Sequence, residues 1–338
     1  MSETIFVSEI SYRKGQAAFE ELGAVNGFNF VPVEEEEEAL ANRIREAGVR
    51  GFIADIHAYK GALYDALPSG GVIARFGVGH DSVDKEKATA KGIWVTNTPG
   101  VLDNAVAEYA VWLLGSLARR VPFLYASTAA GRWEPRAGCE VAGRTLTIVG
   151  FGRIGQMLCR KAALGLGMRV IGCDLDSPEN FASRMGRPLT DLQQEIGFAE
   201  YTNDRARALA EADFVSLHVA SVPATRHLAN ADFFAAMKPG ACVLNTARGA
   251  ILDENALYDA LASGHLGGAA LDVFEREPYA PDFADKDLRT QAGCLMTPHV
   301  GSNTAETNRA MALTAGQTVI RLLTDGSDSV QNIVNRPA

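Results

Sequence analysis

Three ionisable side chains far apart in the sequence stand at, or just beyond, the ends of predicted β-strands: Arg248, Glu277 and His299. Arginine is a permanently charged, forked donor that binds a carboxylate through two parallel hydrogen bonds. Histidine titrates near neutral pH and is suited to giving or taking a proton. A carboxylate bonded to its second ring nitrogen would fix the tautomer and favour the protonated imidazole. Taken singly, each residue has an ordinary alternative: an exposed arginine, a loop glutamate and a capping histidine.

A second set of residues points to a dinucleotide. Gly150, Gly152 and Gly155 have G-x-G-x-x-G spacing and follow the apolar run Thr145–Val149. The first glycine permits a tight turn, the second lets a pyrophosphate approach the backbone, and the third lets helix pack close to strand. The helix start offers free N–H groups and the positive end of the helix dipole. The alternative, a glycine-rich turn that binds no ligand, is disfavoured by the strand before and the helix after.

The cofactor type follows from the next predicted strand. Asp174 ends that strand 19 residues after Gly155, where an acid bonds the ribose hydroxyls of a dinucleotide. Leu175 and Asp176 follow, and no arginine is present there to receive a 2′-phosphate, so NAD is favoured over NADP. Strand ends of a parallel sheet gather at one edge beside the cofactor crevice. The charged residues would therefore suit hydride transfer between NAD and a 2-hydroxy acid.

Another glycine-rich loop, Gly77-Val78-Gly79, also follows a predicted strand. Its backbone amides could form an anion nest for a carboxylate, although a plain tight turn explains the sequence equally well. His80 is favoured as an ordinary loop histidine, and Lys60 as a solvated lysine in place of a phosphate ligand.

Composition narrows the function classes. Lys plus Arg total 32 against 41 Asp plus Glu, a net charge of −9 that argues against nucleic acid or an anionic membrane as the main partner. No N-terminal signal is visible and no apolar run reaches the length of a membrane span, so a cytoplasmic location is expected. The five cysteines are scattered without metal-ligand spacing, and no metal site is expected.

The order of the predicted elements indicates an α/β protein. Strands alternate with helices through residues 1–100 and again from residue 145 onward, which predicts two doubly wound parallel sheets in two domains. A long amphipathic helix is predicted over Asn104–Arg120. The segment 121–143 fits neither helical nor strand periodicity, and long segments of that kind are usually functional or interfacial. Only weak helical patterns follow Asp174 before the strand at 212–218.

Several motifs together resemble the D-isomer-specific 2-hydroxyacid dehydrogenase family. They include G-V-G-H-D-S-V-D around Gly79, N-T-P-G before A-V-A-E, V-G-F-G-R-I-G at the fingerprint, V-L-N-T-A-R-G at Arg248, F-E-R-E-P at Glu277 and T-P-H-V-G-S at His299. The resemblance covers nearly the whole chain. It assigns the catalytic carboxylate to Glu277, directly before Pro278, and leaves Glu275 as the surface residue.

The resemblance implies a discontinuous, flavodoxin-like catalytic domain of residues 1–102 and 305–338, with a Rossmann domain of residues 103–304 inserted in it and substrate held between the two. It implies that the segment 121–143 is an arm embracing a second subunit of a homodimer. It also implies further contacts, namely the cofactor with Arg153, Ile154, Thr246, Asp272 and Ser302, and the substrate carboxylate with Val78 and Gly79.

The substrate stays open. The family implies a small 2-oxo or 2-hydroxy acid: glyoxylate, hydroxypyruvate, a lactate-like acid or 3-phosphoglycerate, with N-T-P-G-V-L leaning slightly towards the first two. Formate is disfavoured because related formate dehydrogenases pair the histidine with glutamine, and phosphite oxidation is a formal possibility. The alternative from another class is an NAD-sensing, corepressor-like interaction protein; it is disfavoured because extensions beyond the predicted elements are short. Feedback control of the kind seen in longer phosphoglycerate dehydrogenases is not expected, since this sequence has no regulatory domain after the predicted elements.

Overall fold

The computed structural model describes residues 3–337. Two compact units divide the chain: the smaller contains the residues up to Leu102 together with those from Asn303 onward, and the larger runs from Asp103 to Ser302. Each unit is built on its own parallel β-sheet, which confirms the predicted fold class. Within residues 3–337, no helix is both long and apolar enough to cross a membrane.

The strands, in chain order, are β1 (Glu3–Ser8), β2 (Phe28–Val33), β3 (Gly51–Ala54), β4 (Val72–Arg75), β5 (Trp94–Thr96), β6 (Thr145–Val149), β7 (Arg169–Cys173), β8 (Glu200–Thr202), β9 (Phe214–Leu217), β10 (Cys242–Asn245), β11 (Gly268–Leu271) and β12 (Cys294–Met296). The α-helices are α1 (Glu9–Asn26), α2 (Glu37–Ala47), α3 (Ala62–Ala66), α4 (Lys85–Ala90), α5 (Asp103–Ala118), α6 (Val121–Ala129), α7 (Arg153–Arg160), α8 (Pro178–Met185), α9 (Leu189–Ile196), α10 (Arg205–Ala210), α11 (Ala231–Ala235), α12 (Glu254–Ala262) and α13 (Ala305–Thr324).

The smaller unit has the strand order β2-β1-β3-β4-β5, all parallel. Strands β3 and β4 are buried along their whole length, as expected for a parallel sheet covered on both faces. The C-terminal segment adds to the free edge of this sheet, where Val334 donates a backbone hydrogen bond to Val95 at 2.8 Å. The five-stranded order is that of the flavodoxin-like fold.

The larger unit has the order β12-β11-β10-β9-β6-β7-β8, again parallel throughout. From β6 the chain builds outward to β7 and β8, and then returns to the other side of β6 to build β9 to β12. The order therefore reverses between β6 and β9, and ligands of open α/β sheets bind at such a switch point, outside the carboxyl ends of the strands.

Some predicted elements differ from the structure. The segment 121–143 contains a helix, α6, where no periodic element was expected. This helix has apolar residues around most of its circumference and buries only Ser127, so its sequence lacks the one-sided pattern that identifies a helix. Strand β8 was also missed, because three residues that include Glu200 and Thr202 carry too little apolar pattern.

Candidate active site

The glycine loop after β6 lies at the switch point of the larger sheet. Gly150 has φ 94°, and a side chain there would come within 2.7 Å of the backbone of His218 and Val219. A side chain on Gly155 would lie 2.4 Å from the Gly150 carbonyl oxygen, so helix α7 approaches the loop as closely as a glycine permits. Around Gly152 the space is open, and this N-cap residue leaves the first amides of α7 without a side-chain cap. The loop has the shape of a pyrophosphate cradle.

Asp174 lies against this loop as well as at the end of β7. One carboxylate oxygen accepts a hydrogen bond from the Phe151 amide at 2.8 Å, and the other accepts from the Leu175 amide at 2.8 Å. The carboxylate therefore braces the fingerprint turn, a role separate from the ribose contact expected from the sequence. Such a second role is not visible in the sequence spacing.

Arg153, the first residue of α7, is tethered by a buried acid. Its Nε donates to the Asp103 carboxylate at 2.6 Å, and Asp103 is 2 % exposed at the start of α5. The Arg153 side chain is otherwise mostly exposed beside the glycine loop. Ile154 follows it and is half-buried against the core of the larger unit.

Arg248 projects from a tight turn that follows β10. The buried side chain of Asn245 makes this turn: its amide donates to the Arg248 carbonyl at 2.8 Å, and its oxygen accepts from the Ala247 amide at 3.0 Å. A side chain on Gly249 would lie within 2.2 Å of the Phe274 and Glu275 backbone. The turn thus packs directly against the segment that carries Glu277.

Glu277 and His299 form a hydrogen-bonded pair. His299 Nδ1 lies 2.8 Å from Glu277 Oε2, and the other carboxylate oxygen of Glu277 accepts from the Phe274 amide at 3.0 Å. Burial raises the pKa of Glu277, but the hydrogen bond and charge of His299, the Phe274 amide and the charge of Arg248 outweigh it and hold this pKa below its ordinary value. The three residues singled out in the sequence are therefore neighbours at the β10–β12 edge.

Asp272 and Thr246 lie at the same edge. Asp272 is 1 % exposed, and its carboxylate accepts hydrogen bonds from the loop that carries His299. The Thr246 hydroxyl is buried, and within residues 3–337 it has no hydrogen-bond partner. The carboxamide of a nicotinamide cofactor could supply the hydrogen-bond partner that this hydroxyl lacks in the protein. Ser302 ends the same loop and the larger unit.

In the smaller unit, the loop Gly77-Val78-Gly79 follows β4. Gly77 has φ 147°, its carbonyl accepts from the Thr98 amide at 2.9 Å, and the Val78 carbonyl accepts from the Asn97 side chain at 2.7 Å. Both carbonyls are thus held by the protein. The amides of Val78 and Gly79, in contrast, have no acceptor within residues 3–337. Two unused amides on a braced loop suit an anion nest.

His80 and Lys60 also make contacts within the protein. The Lys85 ammonium lies 3.1 Å from His80 Nδ1, and the backbone amide of Lys60 donates to the Glu37 carboxylate at 2.8 Å. The Glu275 carboxylate bridges Arg226 and His227 from the preceding crossover.

Sequence reasoning missed the residues that support these groups, chiefly Asn97, Asn245 and Thr297. Each belongs to one of the family motifs, N-T-P-G, L-N-T-A-R and T-P-H, but is not the residue to which the motif assigns a function. Their signal was therefore present, but a hydrogen bond across 19 or 25 residues depends on strand register and cannot be read from spacing.

Comparison with known proteins identifies relatives of this chain. The family model for the D-isomer specific 2-hydroxyacid dehydrogenase NAD-binding domain matches residues 111–301. A glyoxylate reductase of Thermococcus litoralis is 41% identical over 259 residues, 74% of this chain and 73% of that protein. A D-3-phosphoglycerate dehydrogenase of Methanocaldococcus jannaschii is 38% identical over 79% of this chain, which spans 48% of that longer protein. The crystal structure of an NADPH-dependent glyoxylate/hydroxypyruvate reductase from Sinorhizobium meliloti, with NADP and malonate, is 29% identical and superimposes with TM-score 0.81 over 100% of both chains.

Proposed function

This chain belongs to the D-isomer-specific 2-hydroxyacid dehydrogenase family, and on that premise we propose that it reduces a small 2-oxo acid with NADH to the D-2-hydroxy acid. Membership of this family makes the chain an oxidoreductase that binds a nicotinamide dinucleotide and interconverts 2-oxo and 2-hydroxy acids. The direction of physiological flux, the residue roles and the preferred substrate are our proposals.

The observation that carries the proposal is the His299–Glu277 pair beside Arg248. Because His299 Nδ1 is engaged by Glu277 at 2.8 Å, the ring nitrogen left to exchange a proton with substrate is Nε2. Acid–base help of this kind typically accelerates a reaction by about 10²–10⁴-fold.

The residues divide the work as follows. Arg248 binds the substrate carboxylate and polarises the carbonyl through its forked guanidinium. Bound NADH supplies the hydride for the carbonyl carbon. Protonated His299 gives its Nε2 proton to the carbonyl oxygen, and in the reverse direction neutral His299 takes the hydroxyl proton. Glu277 keeps the imidazole in one orientation throughout. We assign Val78 and Gly79 as amide donors to the substrate carboxylate, in keeping with their two unused N–H groups.

The residues present fit a dinucleotide. Gly150, Gly152 and Gly155, with the amides of Arg153 and Ile154 at the start of α7, would hold the pyrophosphate. Asp174 would bind the adenosine ribose, and its negative charge would repel a 2′-phosphate, so we propose NAD as the preferred cofactor. Thr246, Asp272 and Ser302 are assigned to the nicotinamide side, where the Thr246 hydroxyl has no protein partner within residues 3–337.

Glyoxylate and hydroxypyruvate are the first substrates we propose, since relatives are named for both and the N-T-P-G-V-L wording favours them. The test is a panel of glyoxylate, hydroxypyruvate, pyruvate and a bulky 2-oxo acid with NADH or NADPH, followed by loss of absorbance at the reduced nicotinamide. Oxidation of 3-phosphoglycerate with NAD completes it. Turnover of the two small acids with NADH supports the proposal, whereas no turnover of any 2-oxo acid would reject it.

We also propose a homodimer formed through the arm of residues 121–143. Large aromatic side chains are exposed on and next to it: Trp112 at 71%, Tyr125 at 75% and Trp133 at 88%. An apolar surface of this kind marks an interaction site, and an equivalent patch on a second copy would cover it. Light scattering should give twice the chain mass for the wild type, and the monomer mass for Tyr125→Ser combined with Trp133→Ser. A monomeric wild type would contradict the assignment.

A further inference from the structure

The loop that carries His299, residues 297–301, has an unfavourable backbone. His299 has φ 53°, in the left-handed region that non-glycine residues seldom occupy. Its amide donates to the Asp272 carbonyl at 2.8 Å and to the Thr297 carbonyl at 3.1 Å. A residue in such a conformation persists only when the surrounding structure fixes it. What fixes this loop therefore fixes the imidazole.

Asp272 supplies that constraint from the end of β11. Its Oδ1 accepts from the Thr297 hydroxyl at 2.7 Å and from the Val300 amide at 2.9 Å, while Oδ2 accepts from the Gly301 amide at 2.8 Å. These donors lie on both sides of His299. Burial raises the pKa of Asp272, and the three hydrogen bonds oppose that rise. The carboxylate thus holds both ends of the loop at once.

Thr297 provides the one side-chain donor among the three, and the shortest of the bonds. Tyr109, from α5, backs the same place, since a side chain on Gly301 would lie 3.4 Å from its ring. Burial raises the pKa of the Tyr109 hydroxyl, and its interaction with the Thr297 side chain opposes that rise. Without the threonine hydroxyl, Asp272 would keep only backbone donors on the far side of His299, and the near side of the loop would lose its side-chain anchor.

We infer that Thr297 is a positioning residue for His299, acting through Asp272 and backed by Tyr109. The inference rests on the proposed role of His299 as proton donor. Thr297 touches neither reacting group in this assignment; it sets the position from which His299 Nε2 meets the substrate oxygen. A displacement of about 1 Å at such a distance from the chemistry can cost about 10²-fold in rate.

The test compares three variants. Thr297→Val keeps the side-chain shape and removes the hydroxyl, and Thr297→Ser keeps the hydroxyl. Thr147→Val is the matched control, because the Thr147 hydroxyl makes one buried hydrogen bond, to the Ala208 carbonyl at 2.8 Å, in the same unit but away from His299. For each variant kcat at saturating NADH and 2-oxo acid, the dissociation constant of NADH, the melting temperature, and amide hydrogen exchange over residues 297–301 are measured.

We expect Thr297→Val to lower kcat by about 10- to 100-fold while the NADH dissociation constant stays within about twofold. Exchange at Val300 and Gly301 should accelerate in this variant, and Thr297→Ser should restore both quantities. Thr147→Val should lose melting temperature but keep kcat and the protection of the loop.

Three results would overturn the inference: unchanged loop exchange in Thr297→Val, failure of serine to rescue, or the same kcat loss in Thr147→Val. Hydrogen exchange does not depend on turnover. It therefore tests whether Thr297 and Asp272 hold the loop even if no 2-oxo acid of the panel is reduced. A faster-exchanging loop with no wild-type turnover would reject the proposed function and, with it, the role of Thr297 in catalysis. Normal wild-type turnover with an unaffected Thr297→Val would reject only the inference.

Discussion

The two halves of the seven-stranded sheet do different work by different means. On one side of the switch point, β6 and β7 carry the glycine loop and Asp174, which are joined by a hydrogen bond within one stretch of sequence. On the other side, β10, β11 and β12 lead to Arg248, Asp272 and His299, and Glu277 reaches them from the loop after β11. We call these the fingerprint half and the strand-end half.

The difference lies in what holds each group in place. In the fingerprint half, backbone shape is decisive, because Gly150 and Gly155 admit no side chain. In the strand-end half, side chains hold one another across long separations, as in the His299–Glu277 and Thr297–Asp272 hydrogen bonds. Cofactor binding and proton transfer should therefore be separable by mutation. The following changes test that separation, beginning with the largest effect.

Arg248→Ala should lower kcat/KM for the 2-oxo acid by about 10²–10³-fold, the cost of removing one strong donor to a developing oxyanion. Arg248→Lys should recover only part of it, because a lysine lacks the planar fork. Steady-state kinetics and NADH binding measured on the same samples check this. A weakened NADH affinity that accounts for the whole loss would break the separation between the two halves.

Glu277→Gln should lower the rate of reduction about tenfold or more at neutral pH, because the hydrogen bond to His299 Nδ1 loses its charged acceptor and such bonds are worth about 1.5–3 kcal/mol. The pKa of Glu277 is held below its ordinary value, so the wild-type carboxylate stays charged through the neutral range and down into the acid range. Because glutamine does not titrate, the part of the pH–rate profile that reflects protonation of Glu277 should be missing from this variant.

Glu275→Gln is the control for this profile, since Glu275 pairs with Arg226 and His227 and not with His299. Its pH–rate profile should coincide with that of the wild type. A shift of equal size in both variants would mean that general surface charge, and not the His299–Glu277 pair, sets the profile.

Asp174→Asn should move the cofactor preference towards NADPH by at least about tenfold, because two charges near a protein surface repel by about 1–4 kcal/mol. The asparagine oxygen can still accept from the Phe151 amide, which keeps the bond that braces the glycine loop, while the bond from the Leu175 amide is lost. Asp176→Asn, whose acid pairs with Arg184 at 3.0 Å, is the matched control. The kcat/KM ratio for the two cofactors is the measurement, and an unchanged ratio in Asp174→Asn would remove the assigned discrimination.

His218 lies where the two halves meet, and it should affect stability alone. Burial lowers its pKa to about 4, and its Nε2 lies 2.8 Å from the Ser216 hydroxyl. The unfolded histidine gains a proton near pH 6.5 and the folded one only near pH 4, so stability falls as the pH drops between these values. Between pH 7 and pH 5 the free energy of unfolding should fall by about 2 kcal/mol less in His218→Gln than in the wild type. Urea unfolding at pH 7 and pH 5 measures this difference. An equal loss of unfolding free energy in the wild type and the variant would contradict the assignment.

The sequence predicts the fingerprint half better than the strand-end half for a physical reason. Gly150 and Gly155 report backbone requirements that are local, so their spacing alone indicates a strand, a turn and a helix. Both parallel sheets follow from the alternation of elements, and the comparisons confirm that fold. The roles of Arg248, Glu277 and His299 remain predictions, although the structure brings these residues together.

What could not be predicted depends on tertiary register. Thr297 meets Asp272 because β11 and β12 pair in a particular alignment, in which Leu271 lies opposite Met296. The bond from Asp174 to the Phe151 amide likewise requires the loop to fold back on the end of β7. Helix α6 was not predicted because a helix with exposed apolar residues lacks the one-sided apolar pattern of a surface helix.

The most direct test is to measure kcat and NADH affinity together on His299→Ala, with glyoxylate and hydroxypyruvate as substrates. We expect kcat to fall by about 10²–10⁴-fold, the usual contribution of a general acid. The NADH dissociation constant should stay within about twofold of the wild type, because the fingerprint half is untouched. Turnover near the wild-type rate would contradict the assignment of His299 as the proton donor and with it the proposed division of the sheet.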